Sequence, residues 1–329
     1  MKKIHQWASN ERTKEFLKTH FEIIHVPCYY WLLVLIKMIK VDSLNKCFTN
    51  WVTSMLPADK SNMTVSFDGK TVRSTNKLPG YKNPLHIVSA HVGQLGLIFG
   101  SLATEDKSNE IPAVRQLIKM LDLSGCMVVA DALNCQKETA KAIIKSDADY
   151  VLSVKDNHEI LKTDIEEYVQ DDELKSEMDT HQTIEKNRGR IEKRTAYFST
   201  DINWLESKNE WQNLSGIGAI HTEFTTKDKV TEEWHYYISS RALTAEELLK
   251  HTRLEWSVET MHWLLDVHYR EDFCKVADKD VQKNLNIVRK IALNVIKDFK
   301  SRTNSKRAMS NIMFDCLLNP HIILKLLAE

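Results

Sequence analysis

The sequence is poor in the two residues that interrupt regular structure, with nine glycines and six prolines in 329 residues. Each is under half of average usage, about 7% and 5%. That scarcity argues for long regular elements and against a loop-rich β-sandwich. Net charge is also missing: 45 Lys plus Arg balance 45 Asp plus Glu, which excludes a generally basic, tail-mediated nucleic-acid binder and leaves any affinity for polyanions to local patches. The six cysteines, Cys28, Cys47, Cys126, Cys135, Cys274 and Cys316, form no C-x-x-C pair and have no His-x-x-x-His beside them. Structural zinc and a disulfide framework are therefore disfavoured, and a reducing compartment is the natural setting. No apolar run approaches the ~20 residues of a membrane span. The longest, residues 28–36, follows a charged start without a cleavage-type site, so the reading is a cytoplasmic protein in which that run is a core helix. What is present, 43% hydrophobic residues, 27% charged residues and eight tryptophans, describes one large packed domain or two ordinary ones.

Periodicity divides the chain. Residues 7–56 read as helix broken by Pro27, and Pro57 closes them. Residues 63–68, 86–92 and 97–103 read as three antiparallel strands, the last two joined through 93–96. Helix follows over 109–121, where Ser108 and Asn109 are candidate caps. Strands at 126–131 and 148–154 then alternate with helices at 136–145 and 158–169, which implies parallel pairing with right-handed crossovers. Residues 171–186 are polar and read as a surface excursion. Residues 194–198, 217–224 and 234–240 alternate as antiparallel strands of an inserted β region, and helices return from 244. The expected organisation is a helical N-terminal segment at 1–57, the first part of an α/β core at 58–170, a β-rich insertion at 171–243, and a catalytic helix with C-terminal helices at 244–329.

Two carboxylates sit where chemistry is expected. Asp68 follows V-S-F and Asp131 follows M-V-V-A, each closing an apolar strand, and carboxyl ends of strands near a switch in strand order are where open α/β sheets bind ligands. Either alone reads equally well as a cap or turn residue; together they suit a pair that bridges a metal. The third candidate lies on the helix after 244. At about 100° per residue, Leu254, Val258, Met261 and Leu265 form an ordinary core stripe. The opposite stripe carries Trp256, Glu259, Trp263, Asp266 and Arg270. Packing of the tryptophans against another part of the chain is the plainer reading; a carboxylate-bearing cleft wall is the functional one. Three oxygen donors fit Mg²⁺ or Mn²⁺, which take carboxylates, water and substrate phosphates, and paired ions of this kind serve in-line phosphodiester chemistry.

The strings F-D-G-K-T-V-R (67–73), K-S-N-E-I-P (107–112), A-D-A-L-N-C-Q (130–136), D-Y-V-L-S-V-K (149–155), R-G-R-I-E-K-R (188–194), Y-Y-I-S-S (236–240) and W-S-V-E-x-x-H-W-L-L-D-V (256–267) together resemble the H-repeat-associated DDE transposases of bacterial ISAs-type insertion sequences. The likeness runs in order over roughly residues 15–300. It implies a ribonuclease-H-like mixed-sheet core with flanking helices, interrupted by a β insertion before the last catalytic helix. It also implies Asp68, Asp131 and Glu259 as catalytic, metal-holding acids, with Asp266, Glu271 and Asp272 as rival acids in the same region. The implied activity is hydrolysis of a phosphodiester at the ends of a DNA element, followed by transfer of the freed 3′-hydroxyl into target DNA. That activity belongs to a bacterial protein acting as a homo-oligomer on two ends at the nucleoid. Three departures stand out: an apparently shortened start before D-G-K, Glu255 where a basic or imidazole residue usually precedes the tryptophan, and Thr260 where asparagine is common. An impaired DNA-binding relic, or a nuclease without strand transfer, are the alternative readings.

DNA contacts are expected at Lys70 and Arg73, beside Asp68, and along Lys186, Arg188, Arg190, Lys193 and Arg194, where cations would position phosphate without reading sequence. Glu185 and Glu192 among them make a self-neutralised stretch an equal reading. His262 is expected to be a structural histidine, and Cys126 and Cys135 small buried hydrophobes.

Overall fold

In a computed structural model of the chain, the described residues are 1–76, 78, 83–104, 109–187, 189–227 and 229–328. Ser108, one of the two candidate caps, lies outside them. The N-terminal segment forms helices α1 (Lys2–Ala8), α2 (Glu11–Phe21), α3 (Tyr29–Met38) and α4 (Val41–Met55). Pro27 falls between α2 and α3, where its missing N–H does no damage. Helix α4 buries Asn45, Phe48 and Val52, and Asn45 Nδ2 donates to the Ser101 carbonyl at 2.8 Å. The apolar run expected to be a core helix is instead a surface one: α3 buries no residue, and Tyr30, Trp31 and Met38 are exposed. A helix apolar all round still covers only the face that meets a neighbour, and α3 meets α1 and the long C-terminal helix α11 (Lys279–Arg302) on one side.

The core is a mixed sheet. Strands β1 (Thr64–Thr71), β2 (His86–Val92) and β3 (Leu97–Thr104) are antiparallel, while β4 (Met127–Ala130) and β5 (Asp149–Val154) run parallel to β1. Helices α5 (Glu110–Met120) and α6 (Lys137–Ile144) make the crossovers. Four further strands, β6 (Asp179–Asn187), β7 (Arg190–Ser199), β8 (Gly216–Thr225) and β9 (Val230–Ser239), extend the same sheet, giving the order β3-β2-β1-β4-β5-β9-β8-β7-β6. The first five strands are the ribonuclease-H-like core. The β-rich region is therefore continuous with it, joined where β9 pairs antiparallel with β5 from Val151↔Ser239 to Val154↔Tyr236. Part of the segment read as a surface excursion is also strand. Helix α7 (Glu159–Gln170) and a short helix α8 (Asp172–Glu177) precede β6, whose polar faces give no period-two hydrophobic signal because it is the outer edge of the sheet.

Alternation assigns the faces. On β4, Val128 and Ala130 join the cluster packed with α4 and α5, while Met127 and Val129 join the one containing Leu248 and Leu249 of helix α9 (Ala245–Glu255). Strand β4 is buried on both faces, as parallel strands usually are. The free edge at β3 is closed by α11: Asn294 Oδ1 accepts the Ile98 N–H at 2.9 Å and Asn294 Nδ2 donates to the Ile98 carbonyl at 2.8 Å. Both partners are fully buried. Asn294→Ala strands two backbone polar groups and is expected to cost about 2–4 kcal/mol, measurable as a lower urea midpoint with the slope unchanged.

Candidate active site

Strand alternation puts both aspartates on one face. Val65 and Phe67 of β1 face the α4/α5 side, so Asp68 faces the opposite side, towards α9 and helix α10 (Ser257–Val267). On β4 the same alternation turns Asp131, the residue after Ala130, to that side. The β1–β4 register pairs Ser66 with Val129, and two residues further on it sets Asp68 level with Asp131. Strand β1 does not stop at Asp68, as its apolar run suggests, but continues to Thr71 because β2 pairs it through Thr71↔His86.

The two carboxyls are held differently. Asp68 Oδ2 lies 2.9 Å from His262 Nε2. Asp131 Oδ1 accepts the backbone N–H of Asn134 at 3.1 Å and its side-chain Nδ2 at 3.0 Å. Burial raises the Asp131 carboxyl above the usual aspartate range, and the charges of Glu110 and Asp68 add to that, against the two Asn134 hydrogen bonds.

Helices α9 and α10 abut at Trp256, so Glu255 and Glu259 are one turn apart. In the sequence Glu255 is only a departure from pattern; in the fold it lies in the electrostatic field of Asp68 and Asp131. Burial, then the charges of Asp131 and Asp68, push its carboxyl up to about 7, with Lys155 opposing and Glu259 adding. The available signal was its four-residue spacing from Glu259, which places both on one helical face. Glu259 itself is exposed. It lines a cavity of about 440 Å³ with Arg190, Arg194, Phe224, Arg253 and Trp256. Trp256 and Trp263 are 65% and 55% exposed, so the expectation that they pack into the protein does not hold: Val258, Met261, Leu264 and Leu265 fill the buried stripe of α10 and the tryptophans stand on the other side.

A raised acid is more stable folded while protonated. The Glu255 penalty is absent below the unfolded-state value near 4.5 and is fully expressed above about 7. In chelator-treated protein Glu255→Gln is therefore expected to stabilise the fold at pH 8 by about 3 kcal/mol, one decade in equilibrium constant being about 1.4 kcal/mol, and to have little effect near pH 4. Thermal melts at the two pH values check this.

The rival acids are committed elsewhere. Lys70 Nζ bridges Asp266 and Glu271, the latter at 2.8 Å, and Asp272 Oδ1 accepts the Arg73 N–H at 3.0 Å. Lys70 is thus a structural cation, while the Arg73 side chain is 88% exposed. Of the basic stretch, Lys186 is exposed and Arg188 lies outside the described residues. Arg190 pairs with buried Glu192 at 2.6 Å and covers the Phe224 ring. Lys193 pairs with Glu223 at 2.6 Å, and Arg194 with Glu185 at 3.3 Å and with Glu192. Those three are self-neutralised. All six cysteines are free, and burial pushes the Cys126 and Cys135 thiols up to about 11 and about 12, which keeps them protonated.

Among the described residues no three His, Cys, Asp or Glu side chains gather where they could hold a metal ion, so Glu259 is not brought together with Asp68 and Asp131 as a three-carboxylate set. The donor set nonetheless suits a hard cation that keeps water and substrate oxygens and needs one or two carboxylates. Asp68 and Asp131 supply them; burial raises Asp131 and Glu255 first, and the smaller part that comes from neighbouring carboxylates is what a bound cation would relieve.

The profile of the transposase DDE domain family matches residues 57–295. The H repeat-associated putative transposase YhhI of Escherichia coli (strain K12) is 30% identical over 306 residues, covering 88% of this chain and 80% of its own length. The putative transposase YncI of Escherichia coli O157:H7 is 32% identical over 269 residues, 79% and 68% of the two chains. A looser likeness, with TM-score 0.43 and 11% identity, covers 83% of this chain and 55% of the piggyBac transposase in a cryo-EM synaptic complex with hairpin DNA. None of the described helices is long and apolar enough to cross a membrane. With its two aspartates on adjacent core strands inside the matched span, the chain belongs to the DDE-domain transposases, among the H repeat-associated group.

Proposed function

We propose that this chain cleaves a phosphodiester at the ends of a DNA element and joins the resulting 3′-hydroxyl to target DNA, using Asp68, Asp131 and Glu259 to hold Mg²⁺ or Mn²⁺. The observation that carries the reading is the convergence of Asp68 and Asp131 on one face of adjacent strands, under a helix turn that brings Glu255 into their field. Divalent ions of this type stabilise charge on the attacking and leaving oxygens of a phosphoryl displacement. Asn134 fixes the Asp131 carboxylate by hydrogen bonds, and His262 stands beside Asp68. Exposed Arg73 and Lys186 would bind phosphate, and exposed Trp256 borders the cavity that Glu259 lines. Because two ends must be brought together, the acting form is a homo-oligomer.

End-labelled element DNA incubated with the full chain and Mg²⁺ or Mn²⁺ tests this. Nicking at the element boundary is expected, lost in Asp68→Ala and strongly reduced in Glu259→Gln. If Glu259→Gln nicks at the wild-type rate and Glu255→Gln does not, the third acid is Glu255. Binding without nicking under either metal overturns the enzymatic reading.

A further inference from the structure

We propose that Glu110 is the common positioning residue of the two aspartates: one buried carboxylate whose two oxygens reach, through His86 and Asn134, the strand that carries Asp68 and the turn that carries Asp131. The proposal rests on the assignment of Asp68 and Asp131 as metal-holding acids.

Glu110 is the first residue of α5, in N-E-I-P, and is 4% exposed; His86 and Asn134 are 1% and 0% exposed. A buried, desolvated carboxylate is costly unless its lone pairs are used, and here both oxygens are engaged. Glu110 Oε2 lies 2.9 Å from His86 Nε2, and His86 Nδ1 lies 3.1 Å from Thr71 Oγ1, on β1. Glu110 Oε1 lies 3.4 Å from Asn134 Nδ2. That same amide nitrogen donates to Asp131 Oδ1 at 3.0 Å, so Glu110 and Asp131 jointly fix which way the Asn134 amide faces. Both Asn134 donors land on Oδ1 of Asp131, which orients the carboxylate through one oxygen and presents the other.

The second connection is steric. Gly69 follows Asp68 directly, and a Cβ there would lie 2.3 Å from Glu110 Oε2 and 2.4 Å from His86 Nε2. The glycine of D-G-K is therefore the gap into which the Glu110–His86 pair fits. Backbone next to one aspartate and a hydrogen bond to the other are set by a single side chain. Groups that orient metal-holding carboxylates typically change metal affinity by about 10- to 100-fold when altered.

Titration of the full chain with Mn²⁺ alone, followed by calorimetry, tests this without relying on turnover. Glu110→Gln keeps the shape and removes the charge and one acceptor. It is expected to weaken Mn²⁺ binding about tenfold or more while the melting temperature stays within a few degrees. Asn134→Ala, which leaves the Glu110–His86 pair in place, carries the same readout should Glu110→Gln fold poorly, and is expected to weaken binding similarly. Mn²⁺ affinity within about threefold of wild type in either folded variant overturns the positioning role and leaves the proposed function standing. Absence of Mn²⁺ binding by the wild-type chain overturns both.

Discussion

Asp131→Ala is expected to lower the rate of DNA nicking by at least about a thousand-fold while leaving the protein folded. A metal-holding carboxylate contributes several kcal/mol of transition-state charge stabilisation, and about 4 kcal/mol corresponds to three decades in rate. The structural cost is small by comparison. Asn134 loses an acceptor, worth about 1 kcal/mol, but the variant also removes a buried carboxyl raised by burial and by its neighbours Glu110 and Asp68. Single-turnover nicking with saturating Mn²⁺, alongside a thermal melt, separates the two effects. Rate loss with an unchanged melt is the expected pair of results. Nicking that persists in Asp131→Ala would remove Asp131 from the site.

The largest effect on stability is expected at Glu271. It is 2% exposed and receives Lys70 Nζ at 2.8 Å and the Asn286 side-chain amide. Lys290 lies close by, fully buried, with its ammonium pushed down to about 7 by burial although Glu271 opposes that shift. Removing one partner of a buried ion pair leaves an uncompensated charge and typically costs 3–5 kcal/mol, roughly independent of what the intact pair contributes. Glu271→Ala leaves Lys70 with Asp266 and removes the charge that opposes the downward shift of Lys290, and is expected to cost about 3 kcal/mol, the low end of that range, in urea unfolding at pH 7. Because Lys290 Nζ donates to Ser89 Oγ at 2.9 Å and Ser89 is the cross-strand partner of Asp68, the loss also reaches the site. Combining Glu271→Leu with Lys70→Met is expected to recover part of the stability, since an apolar replacement carries no stranded charge. A Glu271→Ala midpoint within about 1 kcal/mol of wild type would contradict this account of the network.

Much of the core was legible because its signals are local. Apolar runs before Asp68 and Asp131 are strands whatever surrounds them, and the alternation of strand and helix after residue 126 implies the parallel pairing of β4 and β5. What the residues could not convey arises from tertiary partners. Asp-Gly-Lys-Thr has weak strand propensity, and β1 reaches Thr71 only because β2 pairs with it. Strand β6 is polar on both faces and owes its form to β7. Glu255 looks like any solvated helix glutamate until α9 is laid over the aspartates. Lys70 looks like a phosphate contact until the chain returns Asp266 and Glu271 to it some two hundred residues later. The self-neutralisation of Arg190 and Arg194 was half-visible in the glutamates spaced among them, since alternate residues on a strand share a face.

The most direct measurement is strand transfer from a pre-nicked, labelled element end bearing a free 3′-hydroxyl into supercoiled target DNA, with Mg²⁺ and the full chain. The account predicts joined product with the wild-type chain and none with Asp68→Ala or Asp131→Ala, both still folded and still binding the end. Joined product from either alanine variant, or none from a wild-type chain that nicks the same end, would contradict it.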